Sequence, residues 1–96
     1  MRTHLSRKDI SGMIRTVLAD ESQDRDRAIN MDLYTCFKSE LGLSDLDLSF
    51  VANRLEKEFG IKLPDAAVNN MGKYTINRLA SIIKYELDWG TGRNQN

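Results

Sequence analysis

Few residues in this sequence can do chemistry. It holds one cysteine, one histidine and one proline in 96 residues. A lone Cys36 excludes a disulfide framework, and with only His4 beside it the chain cannot assemble a Cys/His zinc site. Cys36 reads either as a small buried apolar residue or as a partly exposed thiol. Nucleophilic catalysis needs a base next to its nucleophile, and the one histidine lies close to the N-terminus, so no enzyme is expected. Asp45 and Asp47, like Glu56 and Glu58, are paired carboxylates two residues apart; on a helix they point to different sides and do not converge on a substrate. Gly-rich phosphate loops, metal-ligand spacings and interleaved basic and aromatic residues are all missing. No stretch approaches the roughly 18 to 20 consecutive apolar residues that cross a bilayer, and MRTHLSRKD lacks the apolar centre of a signal peptide. The expectation is a cytoplasmic protein without membrane contact.

Charge of one sign is missing as well. Fourteen basic and fourteen acidic residues cancel, so the overall field gives no case for nucleic acid as a partner. The distribution is uneven. Residues 1–18 carry Arg2, Arg7, Lys8 and Arg15 against Asp9, net +3, while residues 45–59 carry Asp45, Asp47, Glu56 and Glu58 against Arg54 and Lys57, net −2. Such patches suit a transient protein partner, and they are also what ordinary solvated helix faces look like.

What is present is helical periodicity. With 41% hydrophobic and 29% charged residues, the chain reads as one small globular domain, residues 1–88, with a flexible tail at 89–96. Ile10, Met13, Ile14, Val17 and Leu18 follow the i, i+3, i+4, i+7, i+8 stripe of a first amphipathic helix that starts at Ser6 or Asp9. Residues 19–30 are polar and charge-mixed, which predicts a long surface loop. Leu33, Tyr34, Phe37 and Leu41 can form one or two helical turns that pin this loop to the core. A second long helix follows Gly42, with Leu48, Val51, Ala52, Leu55 and Phe59 on one face and Gly60 as its C-terminal cap. Pro64 opens a short third helix, PDAAVNN, which Met71 and Gly72-Lys73 close. Thr75 caps a last helix whose stripe is Ile76, Leu79, Ala80, Ile83 and Leu87. The fold class is all-α, a small four-helix bundle with a long first connection, expected to be a monomer.

One segment adds a resemblance. FKSELGLSDLDLSFVANRLEKEFGIKLPD, Phe37 to Asp65, resembles the central segment of acyl carrier proteins. Leu41-Gly42, Leu46-Asp47, Leu55-Glu56, Phe59 and Leu63-Pro64-Asp65 fall on that family's marks, and Thr75-Ile76 resembles the Thr-Val that starts its last helix. Gly72-Lys73 stands as a small insertion. The resemblance implies a four-helix carrier fold of acyl-carrier-protein type serving fatty-acid, polyketide or related acyl transfer. It also implies a phosphopantetheine arm attached to the serine of Asp-Ser-Leu by a phosphopantetheinyl transferase. Here that triplet is Ser44-Asp45-Leu46. Counting back from Phe59 aligns Asp45 with the attachment serine, and a carboxylate cannot accept the arm.

Two readings follow from the inverted pair. In the first, Ser44 is the helix N-cap, Asp47 completes an S-x-x-D capping pattern, and Asp45 adds favourable charge in the first turn. The domain is then a specialised relative without the arm that binds a biosynthetic enzyme through its second long helix. In the second, Ser44 itself carries 4'-phosphopantetheine, and the partners are the transferase and acyl-transferring enzymes. One residue of shift turns the hydroxyl about 100° around the axis or back into the loop. The family is usually acidic, and its acidic second helix is where basic enzymes dock. This chain is neutral, and Phe50 stands where an acidic residue is common. Asp45, Leu46, Asp47, Phe50 and Arg54 are the candidate recognition residues; Phe50 either faces outward or packs on Leu33 or Met71. Ser49 reads as ordinary polar surface. Val51, Leu55, Met71 and Ile76 either line an acyl cavity or form plain core. An unrelated helical interaction domain is the remaining class.

Overall fold

The structure, a computed structural model, describes residues 5–90. Three long helices supply most of its core. Helix α1 (Arg7–Glu21) starts at Ser6, whose hydroxyl accepts from the Asp9 amide while the Asp9 carboxylate accepts from the Ser6 amide, each at 3.1 Å. This reciprocal box satisfies two amides that a helix start otherwise leaves open. Ile10, Ile14, Val17 and Leu18 are buried as their spacing predicts, with Met13 at the half-buried edge. The helix continues three residues past Leu18, and Ala19 also turns into the core.

The surface loop predicted over 19–30 is only partly loop. Its first three residues belong to α1, and Arg25–Ile29 form a short helix, α2. Five residues with one buried side chain, Ala28, are too few to show a helical period. The helix is held instead by local polar contacts. Asp24 caps it through the Arg27 amide at 3.1 Å, and the Arg27 guanidinium reaches Asp24 at 3.0 Å and Glu40 at 2.8 Å. Behind it, Arg15 Nε donates to the Met31 carbonyl at 2.8 Å and ties the connection to α1.

A further short helix, α3 (Phe37–Leu41), buries Phe37 completely and ends at Gly42, whose φ of 64° only glycine adopts without strain. Helix α4 (Asp45–Phe59) buries Leu48, Val51, Ala52, Leu55 and Phe59, and Gly60, φ 65°, closes it. Pro64 precedes rather than opens α5 (Asp65–Asn70), and Met71–Lys73 form a 3-10 turn where the sequence suggested an insertion. Thr75 caps α6 (Ile76–Trp89), which buries Ile76, Leu79, Ala80 and Ile83. Trp89, predicted to begin the tail, belongs to this helix. Residues 91–96 and residues 1–4, with Arg2 and His4, lie outside the described residues.

Among the described residues no strand forms, and Cys36 and Thr75 make one isolated antiparallel bridge. Around it, the Phe37 amide donates to the Tyr74 carbonyl at 3.4 Å and the Asn77 amide to the Leu33 carbonyl at 2.9 Å. The segment entering α3 is thereby fixed against the start of α6. The predicted all-α bundle stands, with α1, α4 and α6 as its long members, α5 as the short one, and α2 and α3 inside the long first connection. No helix among the described residues is long and apolar enough to cross a membrane.

Exposed carboxylates hold the corners. Asp9 is kept below the ordinary carboxylate range by the Ser6 amide, Asp20 by Arg25 and then Arg54, Asp24 by Arg27, and Asp32 by the Tyr34 amide. A carboxyl whose folded pKa lies below its unfolded value stabilises the fold above the unfolded pKa and loses that contribution as pH falls through the folded one. Urea unfolding should therefore give constant stability from neutral pH to about pH 5 and a steady decline below about pH 4. Constant stability down to about pH 2 would show that these contacts do not hold the fold.

Candidate functional site

The start of α4 resolves the Ser44-Asp45-Leu46 triplet into three different roles. Ser44 has extended backbone, φ −84° and ψ 170°, and is the N-cap. Its hydroxyl accepts from the Asp47 amide at 3.0 Å, and its own amide donates to Asp47 Oδ2 at 2.9 Å. Asp45 is the first helical residue, its side chain 97% exposed, with Lys38 Nζ 3.9 Å away. Leu46 is 64% exposed. The predicted S-x-x-D pattern is a complete capping box, and Ser44 and Asp47 hold each other.

Lys38 reaches this point because Gly72 leaves space for it: a Cβ on Gly72 would lie 2.8 Å from Lys38 Cδ. Cys36 helps place the same turn, with its thiol donating to the Gly72 carbonyl at 3.2 Å. It is half-buried, and the Ser39 amide lowers its pKa, so it is a positioned, partly exposed thiol. A groove of about 470 Å³ runs from Asp45 between α4 and the α5 turn, lined by Lys38, Lys73, Leu48 and Val68 among others. Neither lysine was a sequence candidate. Residues 38, 45 and 73 are separated along the chain, and only the tertiary fold brings them together.

Farther along α4, the face turned from the core carries Leu46 and Phe50 one turn apart. Phe50 is 48% exposed, which answers the choice between outward and inward in favour of outward. It borders a groove of about 450 Å³ shared with Glu21, Asn53, Arg54 and Lys57. Arg54 is occupied within the chain: its guanidinium lies 3.2 Å from Asp20, 3.5 Å from Glu21 and 3.7 Å from Glu58. The Asp20 carboxylate hydrogen-bonded to it raises the Arg54 pKa. This cluster joins α4 to α1. Of the five candidate recognition residues, Leu46 and Phe50 are exposed without a polar tie and Asp45 is exposed with only a 3.9 Å ion pair to Lys38, while Asp47 and Arg54 are held closely by neighbours.

Two other sequence options also find their place. Ser49 donates to the Asp45 carbonyl at 3.3 Å, the ordinary back-bond of a helical serine. Val51, Leu55, Met71 and Ile76 are all 1% exposed or less and pack together in the core cluster. Among the described residues no three His, Cys, Asp or Glu side chains gather to hold a metal ion. Comparisons with family models, with curated sequences and with solved structures find no match for this chain.

The cap has a measurable consequence. Ser44→Ala should lower stability by about 1 kcal/mol, and Ser44→Asp should leave it near wild type, because aspartate caps as well as serine. Urea midpoints of the three proteins check this. Equal midpoints for wild type and Ser44→Ala would mean that the box does not hold the helix start.

Proposed function

We propose that this chain is an acyl-carrier-protein-like recognition module that works without a phosphopantetheine arm, binding an enzyme of acyl-transfer biosynthesis through the exposed face of α4. One observation carries the reading. The only hydroxyl in the triplet caps the helix at Ser44, and the position that the resemblance assigns to the attachment serine holds the exposed carboxylate of Asp45. A carboxylate there offers no hydroxyl for a phosphodiester.

The face that remains suits binding. Leu46 and Phe50 present an apolar pair beside the exposed carboxylate of Asp45, with Lys57 farther along the helix. A partner with an apolar pocket rimmed by a single basic group matches this better than the broadly basic enzyme surface that meets an acidic carrier. Arg54, tied to three carboxylates, sets the α1–α4 junction behind this face.

A second reading has one observation in its favour. Lys38 and Lys73 flank the groove beside the start of α4, where the phosphate of an arm on Ser44 would meet positive charge. Intact mass after incubation with coenzyme A and a broad-specificity phosphopantetheinyl transferase distinguishes the readings. Wild type should gain nothing, while the Ser44→Asp/Asp45→Ser exchange, which keeps a good cap and restores the family order, should gain one phosphopantetheinyl group. A gain in wild type that Ser44→Ala abolishes would establish the working carrier instead. No gain in either protein would remove the carrier likeness and leave a helical interaction domain of another kind.

A further inference from the structure

Helix α6 has a second stripe that lies mostly outside the core, with only Ile82 packed partly against it. Arg78, Ile82, Tyr85 and Trp89 fall within an arc of about 60° at 100° per residue, on the side away from buried Ile76, Leu79, Ala80 and Ile83. Tyr85 is 62% and Trp89 73% exposed, and Ile82 is half-buried. Two aromatics one turn apart on the outer side of a helix form a large apolar surface for so small a domain.

The order of residues on this stripe says what fits it. The spacing four, three, four reads the same in both directions. Laid antiparallel on a copy of itself, the stripe sets Arg78 against Trp89 and Ile82 against Tyr85, twice over. The guanidinium then lies between the partner's indole and its own Tyr74 ring, whose centroid is 5.8 Å from it within the chain. Charge agrees with the same register. Arg78 is in the first half of α6 and Glu86 in the second, and among the described residues neither has an ion-pair partner. Antiparallel pairing brings each Arg78 within one turn of the other copy's Glu86. A twofold interface needs a self-complementary patch of this kind.

We infer that the outward face of α6 is a docking surface for a second copy of this chain, giving a twofold dimer with antiparallel α6 helices. Its length, about 16 Å from Arg78 to Trp89 at the helical rise, makes it a small interface, so the dimer is weak and forms as concentration rises.

Sedimentation of the full chain from about 10 μM to about 1 mM tests this, with emission of Trp89, the one tryptophan, recorded alongside. The dimer fraction should rise with a parallel blue shift of the emission. Trp89→Ser, at an exposed site that leaves the helical circular dichroism unchanged, should abolish association. Arg78→Glu and Glu86→Arg should each weaken it about tenfold or more, and the two together should restore it, because the exchanged charges again face each other. A chain that stays monomeric throughout, a Trp89→Ser variant that dimerises like wild type, or a double variant as weak as the singles would each overturn the proposal.

Discussion

Burial of one stripe of α4 governs how the rest of this small bundle presents itself. Leu48, Val51, Leu55 and Phe59 must leave water, and each such side chain removed from solvent contributes about 1.5 to 3 kcal/mol before chain entropy is set against it. Once that stripe faces the core, the 100° step per residue fixes everything else on the helix. Leu46 and Phe50 can only look outward, Arg54 can only reach toward α1, and Asp45 stands exposed at the end beside Lys38. The exposed face and the core are two consequences of one rotation.

On the proposed reading, the start of α4 separates structure from chemistry by a single transposition. A cap needs an acceptor just before the helix, and serine or aspartate serves there equally well. An attachment site needs a hydroxyl one residue later. Writing Ser-Asp where the resembling family writes Asp-Ser keeps the first requirement and removes the second. On that reading the helix start keeps its cap, and only what could be joined to it differs. Lys38 and Lys73 beside it supply positive charge that Asp45 partly balances.

Local signals made much of this legible. The Ser44 and Thr75 caps, the Gly60 terminus and the apolar stripes of the three long helices follow from residue type and spacing alone. What escaped depends on distant or very short elements. Helix α2 is too brief to show a period and is defined by the Asp24 cap and by Arg27 bridging to Glu40. Arg54 looked like a recognition residue because its partners Asp20 and Glu21 lie on another helix, more than 30 positions away. The outward direction of Phe50 was legible too, because the predicted α4 stripe places it on the opposite side of the helix at 100° per residue. The lysine pair beside Asp45 comes from α3 and the 3-10 turn and has no signature in linear spacing.

The central claim is that α4 begins with a cap and a carboxylate and bears no covalent arm. Its most direct test is the intact mass of the chain isolated from the cells that naturally produce it. The account predicts the mass of the unmodified polypeptide. A species heavier by one phosphopantetheinyl group, localised by fragmentation to Ser44, would contradict it.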